Sequence, residues 1–248
     1  MKVRVWVLVA VAVAAFSTLG CVCSGITLPV GVARGSGKVV SEEREIGNVT
    51  EVDLQGVGSV HIELGDRTSL RIEAEDNLLR YIETEVSGGR LEIKHRRGTR
   101  LLNTMPIDYF VTVRTLDAVS VSGAGNVDVS NVRTERFNVR LSGAGNVQIQ
   151  DLEASTLNAT ISGAGGLAIE GGQVNDQEVV ISGAGDYNAR GLDSRNCTVR
   201  LSGMGSATVQ ANEHLDVTIS GAGSVQYLGD AEVEQQVTGV GRVRQIGE

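Results

Sequence analysis

The sequence is poor in the residues that staple small domains or build cofactor sites. Its 248 residues include three cysteines, two prolines and one tryptophan, and aromatics make up 3%. Cys21, Cys23 and Cys197 are too few for a disulfide framework and lack the paired spacing of a zinc site. Positive charge is also in deficit. Twenty-two Lys and Arg face 30 Asp and Glu, for a formal net charge of −8. That balance argues against a nucleic-acid binder working through bulk positive charge. With so few aromatics, the core must be made of Val, Ile, Leu and Ala. Apolar residues still reach 41%, more than a disordered chain carries. The length allows one large domain or two small ones.

There is one long apolar run. Val5 to Phe16 is uninterrupted, but it is shorter than the ~20 residues that span a bilayer core. Lys2 and Arg4 precede it, and Ser17-Thr18-Leu19-Gly20-Cys21 follows. Residues 1–20 therefore read as an export signal. The Gly20-Cys21 junction resembles a bacterial lipoprotein signal, in which the cysteine is lipidated, although Thr18 stands where such signals favour Leu. Plain cleavage after Ser17 or Gly20, giving a periplasmic or secreted protein, is the alternative, and an uncleaved anchor is a third. Residues 21–38 read as a flexible tether, because Gly, Ser and Pro29 interrupt any periodic pattern. Cys23 within it carries no evident role. Cys197 shares parity with Val199 and Leu201 and is expected to be a buried thiol.

What the chain has in abundance is glycine. Its 32 glycines are roughly twice the usual share of ~7%, and they are periodic. Ser-Gly-Ala-Gly begins at Ser122, Ser142, Ser162, Ser182 and Ser220, with variants at Ser202 (Ser-Gly-Met-Gly) and Thr238 (Thr-Gly-Val-Gly). Successive copies are 20, 20, 20, 20, 18 and 18 residues apart. Apolar residues alternate on both sides of each bend, as in Phe137, Val139, Leu141 before Ser142 and Val147, Ile149 after it. That is the period of strands with one buried face. Val132, Leu152, Gly172 and Leu192 mark a further inward column. A hairpin array would not hold one register across seven identical bends, whereas stacked coils would. The expected fold for 115–248 is a parallel β-helix of 18–20-residue coils, right-handed by expectation. Six steps of about 4.8 Å make a rod of roughly 29 Å. Gly-X-Gly is expected to supply the tight bend through positive φ and a missing Cβ. The Met204 and Val240 copies and the shorter spacing are expected to alter the shape of the last coils.

Residues 39–114 are β-rich but less regular. Val52-Asp53-Leu54 and Val60-His61-Ile62 flank Gln55-Gly56-Val57-Gly58, an eighth relative of the bend that lies out of register with the others. Alternating runs follow at 70–74, 91–93 and 109–113, with a short helical turn expected within 76–82 and a turn at Ser87-Gly88-Gly89. This segment is expected to pack on the solenoid and cap it.

Three stretches carry a family resemblance. One is Glu42-Glu43-Arg44 with Val52-Asp53-Leu54-Gln55-Gly56-Val57-Gly58-Ser59-Val60. Another is Glu75-Asp76-Asn77-Leu78-Leu79 with Ile82-Glu83-Thr84-Glu85-Val86. The third is the Ser-Gly-Ala-Gly ladder from Val119-Ser120-Val121 onward. Together they resemble the head GIN domain family named for autotransporter adhesins, over about 38–248. The resemblance implies export, an all-β solenoid and an envelope location, and it brings no catalytic motif with it. Fold alone does not set function.

Stacked coils turn equivalent positions into columns, so a catalytic cluster would show itself as one. Acid/base cleavage of a glycosidic bond needs two carboxyl groups about 5–9.5 Å apart. Asp216 and Glu234, nominally one rung apart with Arg200 nearby, are the sole such pair, and a solvated face explains them more simply. Asn138 and Asn158 suggest an amide ladder. The six motif serines are too many and too regular for a nucleophile with its base and orienter, and they read as a hydroxyl ladder under the bend. His61, His95 and His214 do not pair with them. Strands rather than helices follow the Gly-X-Gly bends, which excludes a nucleotide fingerprint. Positions four past each motif Ser lack the repeated carboxylates of calcium β-rolls. No catalytic residue, cofactor or metal site is expected.

One basic cluster remains, His95-Arg96-Arg97-Gly98-Thr99-Arg100. Arg96, Arg97 and Arg100 are candidates to touch an anionic partner, against the simpler reading of a solvated loop. Tyr81 and Tyr109 are the candidate exposed aromatics; Tyr187 and Tyr227 have inward parity. The expected function is an exported, non-enzymatic, adhesin-like binding module of the envelope, held to the membrane by a lipid on Cys21. Its partner would be an envelope or surface component, and nucleic acid is not expected. The rivals are a structural scaffold that self-associates through its coil ends, where strand edges lie open, and a polysaccharide-active enzyme.

Overall fold

The computed structural model describes residues 31–247. The signal segment, Cys21 and Cys23 lie outside the described residues. The regular structure of the described residues is nearly all β, and its one helical element is the single 3-10 turn Leu79–Tyr81, inside the stretch where a turn is expected.

Period-two patterning produces the expected coils. One ladder runs through Glu51–Leu54 and Ala118–Val121. It continues in the C-terminal halves of the long bent strands Ala124–Leu141, Asn146–Ile161 and Gly166–Ile181, and ends in Leu192–Leu201, His214–Ile219 and Glu232–Val237. A second ladder runs through Asp108–Val113, Val57–Leu64 and the N-terminal halves of the same long strands. Asp186–Asn188, Ser206–Gln210, Ser224–Leu228 and Arg242–Gln245 complete it. Every pairing in these two ladders is parallel. A short third side stacks 131–134 on 151–154, 171–174 and 192–194.

The core lies inside the coils. Val127, Val147, Leu167, Tyr187, Ala207 and Val225 form one buried column, and Val139, Ala159, Val179, Val199 and Val217 another. Each buried Val, Ile or Leu contributes about 1.5–3 kcal/mol relative to exposure. Val132, Leu152 and Leu192 are buried as the third column requires. Gly172, in the same column, has φ +121°, and its missing Cβ makes room for the Leu152 backbone. Cys197 is buried, as its parity indicates, and burial pushes its thiol pKa up.

Of the two reasons expected for the motif glycines, positive φ fails and the missing Cβ holds. None of those in the seven regular copies has positive φ. A Cβ on Gly143, Gly163, Gly183, Gly203, Gly221 or Gly239 would instead overlap the carbonyl oxygen of the equivalent glycine one coil earlier. The bend is backbone resting on backbone. The residue between the glycines donates its N–H to that same carbonyl, at 3.1 Å for Ala144 to Gly123 and 3.0 Å for Met204 to Gly183. The motif serines are exposed and their hydroxyls make no hydrogen bond within the described chain. The hydroxyl ladder is thus replaced by a backbone ladder.

The Met204 and Val240 copies keep this geometry, with Val240 N–H to Gly221 carbonyl also 3.0 Å. Their coils are not reshaped at the bend. The two residues lost from the 18-residue coils come from the third side, where a turn at 211–213 replaces the short strand.

The N-terminal segment both caps the rod and joins it. Gly58 pairs with Gly125 and Val57 with Ala124. The bend read as out of register in sequence is therefore in register in space. Between these coils the chain makes an excursion. Arg90–His95 and Asp108–Val113 form a coil beneath 51–64, in parallel. Antiparallel strands then close each sheet, with Ile82–Ser87 on one and Ser69–Glu75 followed by Val39–Arg44 on the other. Within the stretch read as a tether, Gly31–Arg34 is a strand paired with Thr99–Leu102. Glu75 locks this corner. Its buried carboxylate accepts hydrogen bonds from Gly37 N–H (2.6 Å), Thr104 N–H (2.9 Å) and the Thr104 hydroxyl (2.5 Å).

Candidate functional site

The outward side of the second ladder forms one continuous surface. Its register sets Arg71, Phe110, His61 and Asp128 side by side on adjacent strands. Gln148, Ala168, Asn188, Thr208, Gln226 and Arg244 continue the row along the rod. Beside it run Asn126, Asn146, Gly166, Asp186, Ser206, Ser224 and Arg242. Most of these are amide, hydroxyl and carboxylate side chains at the sheet's own spacing, with Gly166 and Ala168 among them and Arg242 and Arg244 at the far end. Asn146 Nδ2 donates to Asn126 Oδ1 (3.2 Å), and the Ser206 hydroxyl donates to Asp186 (2.6 Å).

At the N-terminal end this face deepens into a groove of about 740 Å³. His61, Arg71 and Phe110 line it, with Glu43, Arg44 and Glu63. The Phe110 ring is held on both sides. Arg71 lies 4.0 Å from its centroid, a cation–π contact, and His61 stacks at 5.1 Å and 25°. The imidazole is itself fixed between Asp108 (3.5 Å) and Asp128 (3.3 Å). Arg44 is anchored to Glu42, to Thr84 and to the Ile82 carbonyl. The groove wall is a stack of ionic and aromatic groups in mutual contact. Tyr109, read as an exposed aromatic, is buried, and burial raises its hydroxyl pKa. The outward aromatic is Phe110. The alternation of Tyr109, Val111 and Val113 carried that signal, since residues of one parity share one face.

Asp216 and Glu234 are direct ladder neighbours on the outside of the first sheet, both exposed. Arg200 reaches away from them to an ion pair with Glu178. Asn158 Nδ2 donates to Asn138 Oδ1 at 3.0 Å, as an amide ladder requires. In the basic loop, Arg96 pairs with Glu83 (3.5 Å), and Lys94 beside it pairs with Glu85 and Glu92. Arg97 and Arg100 are exposed and form no ion pair among the described residues. The cluster is therefore half neutralised by its own sheet. His95 is different. Its Nε2 is buried without a hydrogen-bond partner, and desolvation lowers its pKa.

Among the described residues, no group of three His, Cys, Asp or Glu is placed to hold a metal ion, and no helix is long and apolar enough to cross a membrane. The arrangement presents hydrogen-bonding groups along one sheet face, with the groove at its end.

The fold defines a β-solenoid of parallel stacked coils. The chain belongs to the family described as putative auto-transporter adhesin, head GIN domain, which it matches over residues 48–231. Among solved structures it resembles a putative adhesin from Bacteroides fragilis, at 24% identity and TM-score 0.83, covering 86% of this chain and 100% of that one. A putative adhesin from Parabacteroides distasonis matches at 22% identity and TM-score 0.66, covering 87% of this chain and 100% of that one. A putative lipid binding protein from the same organism matches at 22% identity and TM-score 0.70, again over 87% and 100%. At these identities the likeness establishes the fold. Among curated proteins none matches.

Proposed function

We propose that this is an exported, non-enzymatic binding module of the bacterial envelope, anchored by a lipid on Cys21. The observation that carries this reading is the continuous outward face from Arg71 to Arg244, a row made mostly of hydrogen-bonding groups in a chain of an adhesin family. Such a face recognises an extended partner through many weak, regularly spaced contacts. Arg97 and Arg100 offer a separate contact for an anionic partner. A scaffold role draws support from Glu232–Val237 and Arg242–Gln245, which pair on one side only, with Val233 and Val243 part-buried beside them. Filaments that lengthen with protein concentration would favour the scaffold.

The deciding experiment is protease digestion of intact and permeabilised cells, with the mass of the mature N-terminus recorded. Digestion on intact cells, with an acylated Cys21, is the expected result. Protection until permeabilisation would overturn a role at the outer surface, and an unmodified N-terminus would overturn the anchor.

A further inference from the structure

The residue between the motif glycines is Ala at 124, 144, 164, 184 and 222, but Met at 204 and Val at 240. These side chains form one column on the corner of the rod, because each N–H bonds the same carbonyl of the coil before. Met204 is 74% exposed and Val240 is 87% exposed. Ala222 lies between them and, with them, lines a notch of about 390 Å³ that also includes Asp186 and Arg242. The corner therefore reads small, large, small, large over four successive rungs: Ala184, Met204, Ala222, Val240. Next to it, two residues further along each strand, stand Asp186, Ser206, Ser224 and Arg242.

This pattern is self-complementary. We propose that the corner joins two copies of this chain side by side, with their rods antiparallel. The two-fold axis would cross the rod between the rungs of Met204 and Ala222, in the plane of contact. That operation sets Met204 over the partner's Ala222 and Val240 over the partner's Ala184, so each large side chain meets a small one. It also sets Asp186 against the partner's Arg242 and Ser206 against the partner's Ser224. One register satisfies size and charge together, as an isologous interface requires. Arg242 makes no ion pair within the described chain, and Asp186 contacts Ser206 through one carboxylate oxygen only, leaving the other for the partner's guanidinium. A two-fold contact closes on itself, so it yields a dimer and not a filament.

The test is sedimentation equilibrium of the purified protein over a wide concentration range. The parent chain is expected to dimerise reversibly. Met204→Ala with Val240→Ala restores the alanine used elsewhere in the column, and so preserves the fold, but should weaken the dimer tenfold or more. Arg242→Asp alone should weaken it comparably, and Arg242→Asp with Asp186→Arg should recover it. Ala184→Cys combined with Val240→Cys should give a covalent dimer on oxidation that neither single variant gives, since within one chain these positions are three rungs apart. A parent chain that stays monomeric overturns the proposal. So does a dimer indifferent to Met204, Val240 and Arg242.

Discussion

The α-carbon of Gly123 rests against the carbonyl oxygen of Gly56, so closely that a methyl group there would overlap it. The same relationship repeats at Gly143 over Gly123 and at Gly163 over Gly143. The obstacle is backbone, which cannot swing aside as a side chain would. Gly143→Ala is therefore expected to destabilise the protein by about 3 kcal/mol or more, whereas Gly47→Ala, with open space around it, should change stability by less than about 0.5 kcal/mol. Thermal unfolding of the two variants followed by circular dichroism measures the contrast. Equal melting temperatures would show that the coils can separate locally.

The core holds one polar chain. Gln177, in the column of Phe137 and Leu157, is buried, and its Oε1 accepts from the Tyr187 hydroxyl at 2.7 Å. Its Nε2 donates to Ser194 Oγ (3.3 Å), whose own hydroxyl donates to the Gln210 carbonyl (2.6 Å). Gln177→Leu would match the apolar column yet strand the Tyr187 hydroxyl. The expected loss is about 1–3 kcal/mol. Adding Tyr187→Phe should return part of it, because both partners are then apolar. Denaturant unfolding of the single and double variants closes the cycle, and strict additivity would exclude the coupling.

Glu75 makes the N-terminal corner sensitive to acid. The Thr104 hydroxyl, followed by the Thr104, Gly37 and Met105 N–H groups, holds its pKa below the ordinary 4.5 against the opposing effect of burial. A depressed folded-state pKa means that its stabilisation is complete above about pH 4.5 and is lost as pH falls through the folded value. Below that window the 35–38 segment and the 103–105 loop should loosen before the solenoid does. Limited proteolysis with an acid-active protease should nick these segments as pH falls below about 4.5. Glu75→Gln should already be nicked at pH 5, and a variant as resistant as the parent would remove the carboxylate from this role.

The basic loop makes a salt-dependent prediction. Arg97→Glu with Arg100→Glu should abolish adsorption to anionic lipid vesicles at low salt, while Arg96→Glu alone should cost less because Arg96 is already paired with Glu83. Flotation of protein with vesicles at low and near-physiological ionic strength reads both, since exposed charges are screened within about 8 Å in the latter. Unchanged flotation of the double variant would dismiss the contact.

The coil architecture of 115–248 is legible in the sequence, because a 20-residue period with alternating parity leaves one way to bury the alternating Val, Ile and Leu columns. The same parity identifies Cys197 and Tyr187 as buried, and correctly read it would have exposed Phe110. Other features needed the third dimension. Gln55-Gly56-Val57-Gly58 belongs to the ladder, but the capping strands between it and Ser122 break the period that a sequence can reveal. The role of the motif glycines depends on a neighbouring carbonyl a full coil away, and residue type alone cannot separate that from positive φ. The neutralisation of Arg96 by Glu83, and of Arg200 by Glu178, depends on which way long side chains lie across a sheet. The meeting of Arg71, Phe110 and His61 comes from three strands whose order in space differs from their order in the chain. Local periodicity determined the strands and their buried faces. Contacts between residues distant in sequence, set by how the coils and cap stack, decided which surface groups stand together.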